Sequence, residues 1–159
     1  VLRPARFVDV PAMVDILVEK QPMSRYAEID TIDTDYARKM LAQCVQRHGG
    51  DKAGATCANV IERDGEIVAF MVGQLDRLYG LGHLLSAHDL LLVARNGTMS
   101  CGRRLMKAYI DWAFAIPKVV EVFATHSDIL PSTKKSRLLF SQLGFTESGK
   151  AYRMTRNPT

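Results

Sequence analysis

The residues best suited to chemistry sit between Val93 and Gly102. Four of them, Gly97, Thr98, Ser100 and Gly102, are small, so the backbone can come close to a ligand. Arg95, Arg103 and Arg104 bring positive charge to the same stretch. If a helix begins here, its first N–H groups lack intrahelical partners and together carry roughly half a unit of positive charge. Such a corner is suited to phosphate oxygens. The plainer alternative is that Gly97 only turns the chain and Gly102 only lets a helix pack closely.

Proton transfer has candidates just upstream, in His88 and Asp89. A histidine acts near neutral pH with little tuning, whereas an aspartate needs its pKa raised by burial. Neighbouring strand residues point to opposite faces, so only one of the two can look into a given cleft. The competing reading of both is a solvated strand end. His83, Glu62 and His126 are weaker candidates, and His48 is expected at a helix end, against the dipole. Cys101 lies in the small-residue loop, but no histidine is near it in sequence, so a covalent thiol mechanism is set aside.

The elements that must hold these residues follow from hydrophobic spacing. A short strand is expected around Leu2 to Arg6, followed by Asp9 as a helix cap and by Val10, Met13, Val14, Leu17 and Val18 on one helical face. A second helix starts at Thr34, with Ala37, Met40, Leu41, Cys44 and Val45 inward and Gly49-Gly50 as its stop. Two β-prone runs then meet at Asp64-Gly65, a dipeptide that tolerates the positive φ angles of a tight hairpin. The run from Ala87 to Ala94 is apolar enough for a central strand covered on both faces.

After Thr98, the residues Gly102, Leu105, Met106, Tyr109, Trp112 and Ala113 recur at helical spacing, with Arg103, Arg104, Lys107 and Asp111 opposite. Met106, Tyr109 and Trp112 therefore read as core, not as a ligand cage. Pro117 closes that helix, a strand follows at Val119 to His126, and a short helix from Lys134 is stopped by Gly144. Phe145 and Ala151 to Met154 are expected to add a last strand. The order is β-α-α-β-β-β-α-β-α-β: an α/β domain spanning residues 1–159, with a mixed, mostly antiparallel sheet, a parallel β-α-β crossover and helices on both faces.

Bulk composition excludes several classes. Hydrophobic residues make up 47% and charged residues 24%, as in folded globular chains and unlike disordered ones. No apolar run is long enough to span a bilayer. Twenty-one Lys and Arg against 17 Asp and Glu give a net charge of +4, which suits an anionic ligand. The charges are interspersed, so nucleic-acid binding is not expected; it would need Arg103, Arg104, Lys107, Lys134, Lys135 and Arg137 to form one face. Cys44, Cys57 and Cys101 lack zinc-type spacing, so no metal and no disulfide framework is expected, and a cytoplasmic location without a secretory leader is.

The segment LLLVARNGTMSCGRRLMKAYIDWA resembles the main coenzyme A motif of the GNAT superfamily of N-acetyltransferases: a strand with Leu-x-Val, then R/Q-x-x-G-x-G/A, then a helix. SRLLFSQLGFTESGKAYRM is similar to the superfamily's C-terminal motif, and LRPARFVDVPAMVDIL to its first strand and helix. The overall cast looks most like small stand-alone members from bacteriophages and prophages. The resemblance implies acetyl-CoA as acyl donor and a primary amine as acceptor, with a homodimer allowed. It implies that the fourth and fifth strands, near Leu91 to Val93 and Val120 to Phe123, splay apart. Pantetheine would then meet main-chain groups at Leu91, Leu92 and Val93. The diphosphate would meet Gly97, Thr98, Met99, Ser100, Cys101, Gly102 and Arg103, with Ser132 and Phe140 nearby. A main-chain N–H near Val93 would face the acyl oxygen as it gathers charge. His88 or Asp89 would take the amine proton.

Two positions depart from the family pattern. Counting back from Gly102, the opening Arg or Gln falls on Gly97 and the middle glycine on Ser100, so Arg95 could serve only with a loop one residue shorter. The tyrosine that often acts as general acid is Phe140, which has no proton to give. A non-catalytic coenzyme A binder, or a phage structural or host-interaction protein of the same fold, is therefore the rival expectation. The acceptor cleft would be built by residues 21–35 and 78–86. Acidic Glu28, Asp30, Asp33 and Asp35 either attract a cationic amine or simply open a helix.

Overall fold

The computed structural model describes residues 1–95, 99–125 and 133–156. Its sheet runs in the order β1 (Leu2–Pro4), β2 (Thr56–Arg63), β3 (Glu66–Arg77), β4 (Leu85–Ala94), β5 (Val119–Val122). The first three pairings are antiparallel and β4/β5 is parallel. The parallel pair follows from the helical crossover between them, α3 (Met99–Phe114). The β2–β3 turn is where expected, with Asp64 at φ 52° and Gly65 at φ 80°.

Helices cover both faces. On one side α1 (Val10–Lys20) and α2 (Thr34–Gln46) pack on Ala58, Val60, Phe70, Val72 and Val93. On the other, Cys101, Leu105, Met106, Tyr109 and Ala113 of α3 pack on Ile61, Ala69, Met71, Leu75 and Ala87. Phe140 of α4 (Thr133–Gln142) joins the second layer. Tyr109 fills the space above Gly73, where a Cβ would overlap its ring.

Several expectations need correction. Asp9 stands at the cap position of α1 but gives that helix no side-chain bond; its carboxylate accepts from Arg3 at 2.7 and 3.0 Å and reaches back to the Arg6 N–H at 2.7 Å, closing the short turn before the helix. The α1 stripe turns to bury Ile16 and leave Val18 exposed, because the helix must meet α2 as well as the sheet. His48 is no dipole partner: burial lowers its pKa, and its Nδ1 accepts the Ala58 N–H at 2.9 Å. No strand forms over residues 145–155; apart from the Phe145 N–H, which bonds Phe140 O, the stretch makes no ladder, and Tyr152 and Met154 are exposed. Asp33 does open a helix, accepting the Tyr36 N–H at 2.9 Å, and Asp35 pairs with Arg38.

Candidate functional site

The site grows from a break in pairing along β4. Its first residues match β5 in register, Leu85 with Val119, Ser86 with Glu121 and Ala87 with Val122. The Phe123 N–H still reaches Ala87 O at 2.8 Å, and there the ladder between the described residues of the two strands ends. On its other side β4 stays paired to β3 as far as Ala94. Hydrogen-bonding direction alternates along a strand, and the Arg95 N–H points to Val68 O on β3. Val93 and Leu91 therefore also turn their polar groups to β3, whereas Leu92 and Ala94 turn theirs toward the side that β5 has left. The expected splay of the two strands is present, and the main-chain groups near Val93 that face it belong to its two neighbours.

Within β4 the register slips: Leu91 pairs with Val72, but Asp89 pairs with Gly73, leaving Leu90 as an extra residue. The bulge inverts which residues face which layer. Below it Ser86 and His88 face the α1/α2 side, while Asp89, opposite Gly73, faces α3. Above it Leu91 and Val93 face α1/α2. His88 and Asp89 are thus separated by the sheet. His88 Nε2 lies 2.9 Å from Ser86 Oγ, and its ring stacks on Phe123 at 4.8 Å and 11°. Asp89 accepts the Thr125 N–H at 3.0 and 2.9 Å through its two oxygens, and the Thr125 hydroxyl at 3.1 Å. Tyr109 donates to Phe123 O at 2.8 Å, and burial first, then Asp89, drives its pKa far upward, so it stays a neutral strut.

The upper mouth of the fork is the start of α3. Gly97 and Thr98 lie outside the described residues, as do Ser132, His126 and the side chain of Met99. Gly102 is in the first turns of the helix, and an added Cβ there would meet no described atom within 4 Å. Among the described residues, then, none packs closely enough against Gly102 to require a glycine there. Arg103 is exposed and donates to Gln142 at 2.9 Å. Arg63, at the β2–β3 hairpin, brings a second guanidinium to Ser100 at 3.4 Å. Nothing local in the sequence marks Arg63; only the tertiary register carries it there. Cys101 is fully buried in the core under the helix.

Arg95, expected at the phosphates, instead turns to the opposite layer. It donates to both Glu19 oxygens at 3.0 and 2.9 Å and to Ile67 O at 3.1 Å, because its place just past the end of β4, in the phase set by the bulge, aims it at α1. Phe140 packs edge-on against Phe145, with ring centres 5.7 Å apart. Of the weaker base candidates, Glu62 is tied to Arg3 at 2.7 Å and His83 is exposed. Among the described residues no His, Cys, Asp and Glu cluster could hold a metal ion, and no helix is long and apolar enough to cross a membrane.

No protein-family model matches the sequence, and no curated protein matches it. Solved structures do match. Glucosamine-6-phosphate N-acetyltransferase from Arabidopsis thaliana superposes with a TM-score of 0.67 at 11% identity, covering 99% of this chain and 98% of its own. A ribosomal-protein-alanine N-acetyltransferase from Brucella melitensis biovar Abortus 2308 gives 0.64 at 15%, over 98% and 99%. A variant of the BH1408 protein from Bacillus halodurans, whose name states no activity, gives 0.71 at 16%, over 98% of each chain. The chain has the α/β fold of these structures over almost its whole length.

Proposed function

We propose that the chain is an acyl-coenzyme A dependent N-acyltransferase that passes an acyl group, acetyl in the simplest case, to a primary amine. The fork carries this reading: β4 and β5 part beside the start of α3, with the Leu92 and Ala94 main-chain groups turned into the gap. A pantetheine arm can add to that edge as a strand would. The absence of any described atom within 4 Å of a Cβ on Gly102 and the guanidinium groups of Arg103 and Arg63 suit a diphosphate at a helix start. The N-acetyltransferase names among the structural neighbours support the same class.

Acyl-coenzyme A enters as a substrate. The amine gives up a proton and its lone pair attacks the thioester carbon. An outward N–H at Leu92 or Ala94 meets the oxygen that gains charge. The carbon–sulfur bond then breaks. The proton lost by the amine balances the one the thiolate needs, so no net acid is consumed, and Phe140 removes a convenient donor without forbidding turnover. One observation favours a second reading, a coenzyme A binder without turnover: Phe140 is occupied by packing on Phe145.

Calorimetry with acetyl-coenzyme A, paired with free-thiol release across a panel of amines, separates the two. Binding with thiol release supports the acyltransferase. Binding alone selects the second reading, and no binding at saturating acetyl-coenzyme A overturns both.

A further inference from the structure

We infer that His48 is an acid-released latch: as a neutral ring it closes the outer edge of β2 beside the end of α2, and on taking up a proton it lets that corner open. The inference is independent of the acyltransferase reading and concerns the far side of the α1/α2 layer from the fork.

Along its outer edge β2 has two neighbours in turn. β1 pairs with Ile61, Val60 and Asn59, and the Ala5 N–H still reaches Ala58 O at 2.9 Å. There the chain leaves for α1. Residues 47–49, which follow α2, then take over the edge. His48 forms a parallel bridge with Thr56, whose N–H donates to Arg47 O at 3.0 Å and whose carbonyl accepts the Gly49 N–H at 2.9 Å. The Thr56 hydroxyl also donates to Cys44 O in the last turn of α2. Between these two stretches lies the Ala58 N–H, and the His48 ring covers it, accepting through Nδ1 at 2.9 Å.

That bond fixes the tautomer. A main-chain N–H only donates, so Nδ1 holds a lone pair and the proton of the neutral ring sits on Nε2. Protonation places a second donor on Nδ1, facing the first. Ala58 then loses its acceptor, and the imidazolium gains hydration only by turning outward. His48 is half-buried, and the exposed Gly49 and Gly50 come directly after it. Gly49 already stands at φ 85°, so the chain has the freedom to turn at that point.

The charges around the ring do not offset its protonation. Arg47 is its neighbour at the end of α2, and Cys44 one turn earlier is buried. Asp51 and Lys52 carry opposite signs on the loop that follows. On β2, Cys57 accepts from Asn59. On β1 and the turn after it, Arg3, Arg6 and Asp9 are joined to one another, and on α1 Glu19 is paired with Arg95 while Asp15 is exposed. Among the described residues no carboxylate bonds the His48 ring, and burial is what lowers its pKa. A folded pKa below the unfolded value, about 6.5, makes the latch contribute fully above that value and lose its contribution as pH falls through the folded one.

NMR and hydrogen exchange on the intact protein test this. Nitrogen NMR at neutral pH is expected to show His48 as the Nε2–H tautomer, with a titration midpoint below the ordinary histidine value. On acidification from about pH 7.5 to about pH 5, the protection factor of the Ala58 amide should fall by about tenfold for each pH unit between about 6.5 and that midpoint. His48→Asn sets an acceptor oxygen near the place of Nδ1 and does not titrate, so it should keep Ala58 protected and remove the pH dependence. His48→Ala should leave Ala58 poorly protected throughout. An Nδ1–H tautomer, a midpoint at or above the ordinary value, protection of Ala58 indifferent to pH, or an equal fall in His48→Asn overturns the latch. Should His48→Ala fail to fold, the wild-type titration and His48→Asn still decide the outcome.

Discussion

Two charged corners of this molecule differ in what their polar groups have left to do. Where β1 meets the β2–β3 hairpin, Arg3 bonds both Asp9 and Glu62, and Asp9 also takes the Arg6 N–H. A hollow of about 370 Å³ lies against that corner, yet its lining charges are largely paired with one another. At the fork, by contrast, main-chain groups of Leu92 and Ala94 face the side that β5 has left, and no described atom lies within 4 Å of a Cβ built on Gly102. A cavity among satisfied charges belongs to the architecture; a pairing edge that stops short is where a ligand can complete the bonding.

The paired corner should break hardest. Asp9→Asn keeps the side-chain volume but leaves Arg3 facing a neutral group, and is expected to cost about 3 kcal/mol in urea melts at neutral pH. The Asp9 carboxyl is held below the ordinary range, first by the Arg3 hydrogen bond and against the opposing effect of burial. A depressed native pKa gives stability that is fully present above the unfolded value, about 3.9, and lost as pH falls through the native one. The gap between wild type and variant should therefore close as pH drops below about 4. Acetyl-coenzyme A affinity should not follow it; a parallel loss would join the two corners.

Next in size is Gly73→Ala. The new Cβ would displace Tyr109, whose hydroxyl holds Phe123 O beside the fork. A loss of about 2 kcal/mol is expected, as for an overpacked core. Unchanged thermal stability would mean that Tyr109 has room to move. Gly102→Trp is the mirror case. It should weaken acetyl-coenzyme A binding about tenfold, roughly 1.4 kcal/mol, with no loss of melting temperature, since nothing described lies against that position.

The pattern of particular residues explains how far sequence alone reaches. Asp64-Gly65 announces its turn because few dipeptides accept two positive φ angles. The α3 stripe announces itself by period. The Leu90 bulge does not: a run of leucines looks the same with or without an extra residue, and only the cross-strand register of Gly73 and Val72 exposes it. That single residue decides where His88, Asp89 and Arg95 point. Phe123 was illegible for the same reason, since its ring meets His88 from beyond β5. The final strand expected near Ala151 is absent because β-prone residues alone do not supply a partner edge.

The smallest effect is also the sharpest contrast, between two arginines within nine positions of each other. Arg95 makes a two-pronged pair with Glu19, and its pKa is raised chiefly by that bond, so its charge is matched before any ligand arrives. Glu19 is half exposed, and a partly solvated pair of this kind is worth at most about 1 kcal/mol. Arg95→Ala should therefore lower stability slightly and leave acetyl-coenzyme A affinity alone. Among the described residues Arg103 meets only the neutral Gln142 amide, which leaves its charge unmatched by them at the start of α3. Arg103→Ala should leave stability within about 0.5 kcal/mol but weaken acetyl-coenzyme A binding several-fold, more at low ionic strength than at high, as expected for an exposed charge. Calorimetry of both variants at two salt concentrations makes the comparison, and an affinity loss confined to Arg95→Ala would move the diphosphate to the other face of the sheet.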